Sequence, residues 1–546
     1  MEIVEGNIID IHTDRIYPGK IFISNGRILK IEKTAQTYST FIAPGFIDAH
    51  VHIESSMLTP VHFSELIVSK GTLAIVNDPH EIANVLGERG IRFMLENSRN
   101  AKVKCFFGIP SCVPATPFDS SGEIISAETT ERLAATGEFV CLSEMMNVPG
   151  VLNEDPEVMR KIETAKKYHL KIDGHAPLLS GTALKKYIQV GISTDHESSN
   201  LNEALEKICA GMKILIREGS AAKNYHALKS LIASHPEALM FCTDDAHPDE
   251  IIRNGHIDYL VRSALRDGFD LFTVLRIACL NPVKHYNLPI GILQKGENAD
   301  FIRIRDLESL EVLEAYKDGR KIYEKRENTF PEVPNTADIS DMNRFFQHKI
   351  GLSDLKKRVF YEQNPGIEIK NGEIITSKFY FDVKTECDFE ADISRDILKI
   401  VYLNRYFSGK KPQISWIKGM GLKEGAFATS IAHDSHNILA VGCSDAEIQI
   451  VINRLIEIKG GLVVKNASGL HVLELPIGGI MSDKNAWEVA KKYEYLTKEL
   501  KKSGCKLNTP FMTLAFMSLI VIPEVKIGEK GLFDFADFCF LEENKQ

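Results

Sequence analysis

Strict alternation of apolar and polar residues marks the first forty residues of the chain. The alternation runs from Glu2 to about Phe41, and Asn25-Gly26 separates the runs IFIS and RILKIE. Asn-Gly between two alternating runs is a strong signal for a tight hairpin turn. The segment is therefore predicted to be a small β-structure.

After Phe41 the pattern changes to short apolar runs separated by longer amphipathic stretches, and it keeps this form to about His285. Such a pattern is typical of βα units around a parallel sheet. Eight candidate strands end at or near His50, Asp78, Ile109, Glu144, His175, His196, Arg217 and Asp244. Eight units predict a (β/α)8 TIM barrel, whose carboxyl-terminal strand ends form one face and carry the active site. Residues far apart in sequence should therefore converge there.

The segments after the barrel predict two further parts of an α/β protein. GILQKGENADFIRIRD indicates a strand-turn-strand unit that would complete the N-terminal β-structure, while ENTFPEVPNTADISD has the composition of a linker. Beyond it, apolar runs such as ILKIVYLN and amphipathic stretches such as DAEIQIVINRLIEI predict a separate α/β domain. We expect a small β-sandwich domain from residues 1–42 and 286–335, a catalytic barrel over 43–285 and a C-terminal domain over 345–546.

Composition limits the class of protein. Of 546 residues, 44% are hydrophobic and 25% are charged, which is the balance of a soluble globular protein with two or three domains. The net charge of -9 argues against nucleic-acid binding, which requires a surplus of Lys and Arg. The size favours a homo-oligomer.

No feature of the sequence indicates export or a membrane. The N-terminus lacks a basic segment followed by an apolar stretch, and PFMTLAFMSLIVIPE is broken by Pro, which favours core or subunit interface. The ten cysteines form no CxxC pair, and several, such as Cys105 and Cys242, stand in apolar runs. Buried reduced thiols in a cytoplasmic protein are the expectation.

The candidate chemistry begins with a His-Val-His sequence at the end of the first barrel strand. Residues i and i+2 of a strand point to the same side, so His50 and His52 can hold one cation. An isolated pair of this kind is a weak signal, but four further strand ends carry Glu144, His175, His196 and Asp244. Four imidazoles and two carboxylates can ligate two first-row divalent ions, and Glu144 can bridge them through its two oxygens.

Two close metals can share a hydroxide at neutral pH, which suits attack on an sp² carbon that bears nitrogen. A nearby carboxylate must accept the proton and pass it to the leaving group. Asp244 is the preferred candidate and Asp245 the alternative, because strand alternation should point only one of them at the metals.

Other residues at this face keep two interpretations. Asp78 could act in the site or merely cap the following helix. His80 and Glu81 are weaker candidates of the same kind, and Arg217 could contact substrate or pair with a local carboxylate. In the C-terminal domain, the sequence AHDSHNILAVG could close the site over the barrel mouth, or its polar residues could satisfy local turns.

At this point the motifs resemble a known family. PGFIDAHVHIESSMLTP is similar to the amidohydrolase superfamily in its PGFIDxHxH core, and its IESS continuation resembles the adenine deaminase family. NDPHEIANV, SEMMNVPGV, DGHAPLLSG, GISTDHESS and CTDDAHPDE are similar to that family's blocks in the same order, and the likeness continues through the C-terminal domain. Asn77, Ser143 and Ala246 depart from the pattern, where Thr, Gly and Lys are expected.

The resemblance implies hydrolysis of adenine to hypoxanthine and ammonia in purine salvage, by a metal-bound hydroxide. It implies two divalent ions, Mn(II) or Fe(II), with Zn(II) as the alternative. The implied ligands are His50, His52, Glu144, His175, His196 and Asp244. In addition, Asp78 and Asp244 would transfer protons, and Glu144 would occupy the bridging place that a carboxylated lysine holds in many relatives.

Two other classes of function remain to be compared. An amidohydrolase that opens a cyclic amide would use the same metals, but the IESS and DPHEIANV blocks and the absence of a lysine at position 144 speak against it. A non-catalytic metal- or nucleobase-binding protein would need no carboxylate for proton transfer. The HxE and PCxxC signature of the zinc nucleobase deaminases is missing.

Overall fold

The computed structural model describes residues 1–325, 339 and 341–541. Its first segment forms strands β1 (Glu2–Asp10), β2 (Arg15–Ser24), β3 (Arg27–Lys33) and β4 (Phe41–Pro44). Asn25 and Gly26 have φ angles of 50° and 77°, and they form the turn between β2 and β3. Two successive positive φ values are what a tight hairpin of this kind requires, which is why Asn-Gly occurs there.

All eight predicted barrel strands are present and parallel to their neighbours. They are β5 (Phe46–Val51), β6 (Thr72–Asn77), β7 (Lys104–Ile109), β8 (Phe139–Met145), β9 (Lys171–Gly174), β10 (Thr194–Asp195), β11 (Lys213–Arg217) and β12 (Leu239–Cys242). Pairing runs in chain order from β5 to β9 and from β10 to β12. Parallel bridges between Ile172 and Ile192 and between Val51 and Asp244 join the two sets, so the strands form a closed ring.

Helices follow or separate these strands, as the βα pattern predicts. They are α1 (Pro60–Val68), α2 (His80–Leu86), α3 (Glu88–Ser98), α4 (Ala127–Ala134), α5 (Val148–Leu152), α6 (Pro156–Lys167), α7 (Gly181–Gln189), α8 (Leu201–Cys209), α9 (Tyr225–Leu228), α10 (Leu231–Ser234), α11 (Pro248–Asn254), α12 (Ile257–Arg266), α13 (Leu271–Leu275) and α14 (Asn281–Tyr286). A π-helical turn over Arg276–Leu280 joins the last two. Helix α2 is important for the site because it begins directly after β6 and is buried along its whole length.

Strands from both flanks of the barrel combine in one seven-stranded sheet. After the barrel come β13 (Phe301–Ile304), β14 (Val312–Lys317) and β15 (Arg320–Glu324), and the strand order is β15-β14-β13-β4-β1-β2-β3. The predicted strand-turn-strand unit over residues 291–306 contributes only β13. Its first half folds into a turn instead, because the Glu297 carboxylate accepts hydrogen bonds from the backbone N–H groups of Ile292 and Gln294.

Most of the predicted linker, residues 327–341, lies outside the described residues. The C-terminal region then forms β16 (Arg358–Val359), β17 (Asn364–Glu368), β18 (Ser377–Phe381), β19 (Cys387–Asp388), β20 (Ile397–Leu403), β21 (Gln413–Lys418), β22 (Ala426–Thr429), β23 (Ile438–Gly442), α15 (Asp445–Ile458), β24 (Gly461–Asn466), β25 (Gly469–Glu474), α16 (Ala486–Lys502), α17 (Pro510–Ala515), β26 (Val525–Gly528), β27 (Gly531–Asp534) and β28 (Cys539–Phe540). Eight of these strands form a mixed sheet in the order β18-β17-β21-β20-β23-β22-β24-β25.

The apolar segment PFMTLAFMSLIVIPE belongs to the core. Helix α17 within it is buried at every position, and the backbone carbonyl of its last residue, Ala515, accepts a 3.0 Å hydrogen bond from His433 in the loop between β22 and β23. Among the described helices, none combines the length and the apolar character that a bilayer span requires. All ten cysteines are unpaired. Cys242 is buried as expected, but Cys105 is only partly buried, and Cys209, Cys387 and Cys539 are exposed.

Candidate metal centre

The six predicted ligand residues meet at the carboxyl-terminal ends of five barrel strands. Each of the six is at most 7% exposed. Their donor atoms fall into overlapping groups within 4.8 Å of one another, among them His50 with His196 and Asp244, and Glu144 with His175 and His196. The closed ring of strands therefore brings together side chains that are up to 194 positions apart between His50 and Asp244.

The Glu144 carboxylate lies between two pairs of histidines. Its Oε1 is 3.9 Å from Nε2 of His50 and 3.3 Å from Nε2 of His52. Its Oε2 is 2.9 Å from Nδ1 of His175 and 3.2 Å from Nε2 of His196. One carboxylate oxygen thus faces each pair, which is the arrangement that a bridging ligand between two cations requires.

The ring nitrogens of the first pair are oriented for ligation. His52 donates from Nδ1 to the backbone carbonyl of Asp78 over 3.1 Å, which leaves its Nε2 facing the carboxylates. Metal-bound imidazoles commonly donate their second N–H in this way, because the bond fixes both tautomer and ring orientation. The Nε2 atom of His50 is buried without any hydrogen-bond partner among the described residues. A buried ring nitrogen that has no hydrogen-bond partner and lies beside two carboxylates is suited to bind a cation.

The electrostatics of the cluster also fit cations. Burial opposes charge on Glu144, but hydrogen bonds from His175 and His196 outweigh it and hold the pKa of this carboxyl well below its usual range. Burial likewise lowers the pKa of His52, yet Asp244 and Glu144 raise it well above the ordinary value. The site therefore concentrates carboxylate charge that must be balanced by positive charge, whether on protonated imidazoles or on bound metal ions.

Asp244 and Asp245 have different surroundings, as expected. Asp244 Oδ1 lies 3.5 Å from Nε2 of His50 and 3.2 Å from Nε2 of His52. Asp245 Oδ1 accepts a 2.5 Å hydrogen bond from the Ser55 hydroxyl. Strand alternation does not produce this difference, because β12 ends at Cys242 and Asp244 is left-handed with φ of 58°. One oxygen of Asp245 still lies within 4.8 Å of donor atoms of His52 and Asp244.

Arg217 is fully engaged with carboxylates. Its Nη1 contacts Glu197 Oε1 at 2.6 Å and also bonds Asp244 Oδ2, and its Nη2 lies 2.8 Å from Glu197 Oε2. Bidentate pairing of this kind fixes both side chains. Burial disfavours charge on Asp244, but Arg217 overcomes it and holds the pKa of that carboxyl well below its usual range. Of the two interpretations of Arg217, the structure shows pairing with local carboxylates.

Glu197 was not singled out from the sequence, although it directly follows His196. Its Oε1 is 3.4 Å from Nε2 of His196 and 3.6 Å from Nδ1 of His175. The signal that could have found it is its place immediately after a strand end that carries a candidate ligand.

Asp78 takes part both in the start of helix α2 and in the site. Its Oδ1 accepts from the backbone N–H of His80 at 3.2 Å, and its Oδ2 accepts from His80 Nδ1 at 3.1 Å. The same Nδ1 is 3.5 Å from Glu144 Oε1. His80 therefore lies between Asp78 and the Glu144 carboxylate, and this weaker candidate from the sequence is closer to the predicted ligands than expected.

A loop of the C-terminal domain lies over the barrel mouth. Glu81 accepts a 2.5 Å hydrogen bond from His433 Nδ1 on one oxygen and a bond from His436 Nε2 on the other. Asp434 Oδ1 lies 3.8 Å from His80 Nε2. These side chains are all at most 5% exposed. The loop therefore packs over the barrel mouth, in agreement with the first of its two interpretations.

Two buried networks that the sequence did not reveal support the strand ends. Asp48 accepts from the backbone N–H of Thr243 at 3.1 Å and from its hydroxyl at 2.5 Å, and it ties β5 to the residue before Asp244. On the other side, Lys207 donates to the backbone carbonyl of Ala176 at 2.6 Å and to Asp195 Oδ2 at 2.9 Å. Neither network corresponds to a sequence motif, because its residues are distant along the chain and meet only when particular strands become neighbours.

The three departures from the expected pattern lie around this face. Asn77 accepts from the backbone N–H of Ile53 at 2.9 Å and so fixes the turn after His52. The Ser143 hydroxyl is buried without a partner among the described residues, and Ala246 is 6% exposed. None of them replaces a predicted ligand.

Comparison with known families assigns the two large parts of the chain separately. The model of the amidohydrolase family matches residues 41–322. A model described as the adenine deaminase C-terminal domain matches residues 373–539.

Similar proteins span the whole chain. The chain is 49% identical to an adenine deaminase of Methanosarcina acetivorans, with 98% of each protein covered. It is 45% identical to that of Parabacteroides distasonis with the same coverage, and 44% identical to that of Borreliella burgdorferi with 99% of each covered. Among solved structures, an N-acetyl-D-glucosamine-6-phosphate deacetylase from Mycobacterium smegmatis is 14% identical with a TM-score of 0.46, over 59% of this chain and 100% of that one.

Proposed function

The chain belongs to the adenine deaminase family of amidohydrolases, and we propose that it hydrolyses adenine to hypoxanthine and ammonia at the barrel mouth. The observation that carries the proposal is the position of Glu144. Its two oxygens face two separate histidine pairs, within a full-length match to proteins named adenine deaminase. A small-molecule substrate in a closed, buried site is consistent with this reaction.

The proposed centre holds two divalent ions, with Mn(II) or Fe(II) favoured and Zn(II) as the alternative. The proposed ligands are His50, His52, Glu144, His175, His196 and Asp244. When bound, the two ions supply a nucleophile from water at neutral pH. The carboxylates favour the harder members of the first-row series, which is why Mn(II) and Fe(II) come before Zn(II).

Proton transfer is assigned to Asp244 and Asp78. Attack of water at C6 of adenine forms a C–O bond and releases a proton, and cleavage of the C–N bond requires a proton on the departing nitrogen. Asp244 receives the first proton; its Oδ1 faces His50 and His52, and Arg217 holds its Oδ2 and so orients the carboxylate. Asp78 is bonded to His80 Nδ1, which also lies 3.5 Å from Glu144 Oε1, so Asp78 is beside the centre and is the proposed donor of the proton to the departing nitrogen.

The catalytic unit is proposed to be the barrel over residues 43–285, with the small β domain and the C-terminal domain around it. A cytoplasmic location and a homo-oligomeric state stay predictions. Cyclic-amide hydrolysis is the weaker alternative, since it would use the same barrel ligands but gives no account of the match to the adenine deaminase C-terminal domain.

The test is ammonia release by the purified full chain loaded with Mn(II), with adenine, adenosine and dihydroorotate as substrates. Turnover of adenine alone is expected. The matched variants are Asp244→Asn and Asp245→Asn, which make the same change at adjacent positions. Loss of one catalytic proton acceptor should lower kcat/KM by about 10²–10⁴-fold in the first variant and much less in the second. Turnover of dihydroorotate without turnover of adenine would contradict the proposal.

A further inference from the structure

The loop from the C-terminal domain presents a buried carboxylate, Asp434, one oxygen of which has no partner among the described residues. Oδ2 of Asp434 makes no hydrogen bond among the described residues, although the side chain is only 5% exposed. In the preceding residue, Nε2 of His433 also lacks a partner among the described residues, because this ring bonds Glu81 only through Nδ1. Unsatisfied buried polar atoms are costly, so neighbouring acceptor and donor atoms in this state indicate a place for a polar ligand.

The position of Asp434 suits a substrate held at the metal centre. The His80 ring lies between Asp434 and the bridging carboxylate, with Nε2 3.8 Å from Asp434 Oδ1 and Nδ1 3.5 Å from Glu144 Oε1. Only the His80 ring thus lies between the Asp434 carboxylate of the loop and the Glu144 carboxylate of the centre. A flat bicyclic base can reach from one to the other, with its reacting carbon at the centre and its far edge at the loop.

The neighbouring carboxylates are less suited to accept a bond from a ligand. Both oxygens of Glu81 are occupied by His433 and His436. Asp245 is bonded to Ser55. Glu54 accepts from the backbone N–H of Ile82 at 3.2 Å through Oε1, and its Oε2 has no partner among the described residues, so this carboxyl is tested separately below.

The charge state of the loop fits the same role. Burial raises the pKa of Asp434 to about 6, so the carboxyl is still mostly ionised at neutral pH. Burial opposes charge on His433, but Glu81 raises the pKa of that imidazole to about 9. The ring of His433 is also stacked on Phe516, with centroids 4.7 Å apart and planes 28° from parallel. A fixed cationic donor therefore stands beside an anionic acceptor.

We propose that Asp434 accepts a hydrogen bond from the imidazole N–H of the free purine base, so that the C-terminal domain selects the base over its nucleoside. This rests on the proposed deamination of adenine. A free purine carries an N–H at N9 beside the acceptor N3, which complements Asp434 and His433. A nucleoside has its sugar at N9, so it lacks the N–H and leaves the Asp434 carboxylate unpaired. Sites built to bond such a group reject analogues that lack it.

The experiment measures equilibrium binding to the metal-loaded full chain, and it does not depend on turnover. The two probes are 7-deazaadenine and its furo analogue, in which an oxygen atom replaces the N9–H group. These ligands differ at one position and have nearly the same shape. The variants are Asp434→Ala and, as a matched control, Asp119→Asn. Asp119 is a nearby carboxyl that is already bonded to the Thr116 hydroxyl at 2.9 Å.

The wild type should bind 7-deazaadenine about 10- to 100-fold more tightly than the furo analogue, as expected for one hydrogen bond to a charged group. Asp434→Ala should reduce this preference to within about 3-fold, while Asp119→Asn keeps it. A purely structural role of Asp434 would weaken both probes equally, and that result overturns the inference. So does the absence of any preference in the wild type, or its loss in Glu54→Gln rather than in Asp434→Ala.

Failure of the proposed function is a separate result. It would appear as no ammonia release from adenine by the metal-loaded wild type, whatever the two probes do.

Discussion

Two buried lysines, Lys207 beside the site and Lys526 in the C-terminal domain, test how a buried positive charge affects stability. Lys207 is 0% exposed, and its Nζ has four polar contacts: Ala176 O at 2.6 Å, Asp195 Oδ2 at 2.9 Å, Glu203 Oε1 at 2.9 Å and Ser198 Oγ at 3.1 Å. Lys526 is 1% exposed, and its Nζ donates to the carbonyl of Ile374 at 2.7 Å. The same substitution, Lys→Met, should therefore have opposite effects at the two positions.

Lys207→Met removes the cation that balances Asp195. Burial opposes charge on this carboxyl, but Lys207 lowers its pKa below the usual range. Removing one partner of a buried ion pair costs about 3–5 kcal/mol, because the other charge stays buried and unpaired. The loss of these Lys207 contacts should also disturb the proposed metal centre, because Ala176 and Asp195 are the neighbours of the proposed ligands His175 and His196. Loss of such outer support lowers metal affinity by about 10–100-fold.

Lys526→Met removes a charge that is costly to bury. Burial lowers the pKa of Lys526 from 10.5 to about 7. At 1.36 kcal/mol per unit, this shift corresponds to at most about 5 kcal/mol of destabilisation when the lysine is protonated. In the variant the Ile374 carbonyl loses its hydrogen bond, which costs about 1–3 kcal/mol. The variant should therefore be more stable than the wild type by a few kcal/mol below pH 7.

The pH dependence has a definite sign. Between about pH 7 and 10.5 the unfolded chain binds a proton at Lys526 that the folded chain does not, so the stability of the wild type rises with pH in this window. Methionine has no such proton. The advantage of Lys526→Met is therefore full below pH 7 and should disappear as the pH approaches 10.5.

The assay is denaturant and thermal unfolding of metal-loaded protein from pH 6.5 to 10, together with metal content per chain. Lys207→Met should unfold earlier and lose part of its metal, while Lys526→Met unfolds later at low pH and keeps its metal. Adding Asp195→Asn to Lys207→Met should recover part of the stability, since the unpaired charge is removed. Equal shifts in the two single variants, or full metal content in Lys207→Met, would refute the reasoning.

Three further outcomes are expected at the centre. Glu144→Gln should hold fewer than two ions and lose at least about 10³-fold in kcat/KM, because a neutral amide is a poor bridge. Arg217→Met should cost about 3–5 kcal/mol in an unfolding assay, with part of it recovered by Glu197→Gln; an unchanged midpoint would contradict the buried pairing. Chelation should lower Tm and stop ammonia release, and Mn(II) should restore both.

The pattern of the sequence was sufficient for the order of strands and helices and for the residues at the strand ends. Apolar runs such as TLAIVN and FVCLSEM are buried on both faces of a parallel sheet, so they stand out from the amphipathic helices between them. Because a barrel places its strand ends on one face, the convergence of His50, Glu144 and His196 could be predicted without coordinates. The motifs also identified the family, and full-length relatives confirm it.

Local pattern was insufficient where a residue depends on a distant partner. Glu297 turned one predicted strand into a turn through hydrogen bonds that periodicity does not record. The choice of Asp244 over Asp245 agrees with its facing the histidines, yet the cause is a left-handed residue that bridges β12 to β5 and not strand alternation.

The sequence by itself determined the barrel, the polar residues at its strand ends and the family, because these follow from periodicity, from motifs and from residues that lie close to a strand end. Only the tertiary structure decided what surrounds them. Arg217 at the end of β11 pairs with Glu197 just after β10, and Lys207 joins Ala176, just after β9, to Asp195 of β10. His433 reached Glu81 from 352 residues away. Such contacts are set by which elements pack together, and no spacing along the chain encodes them.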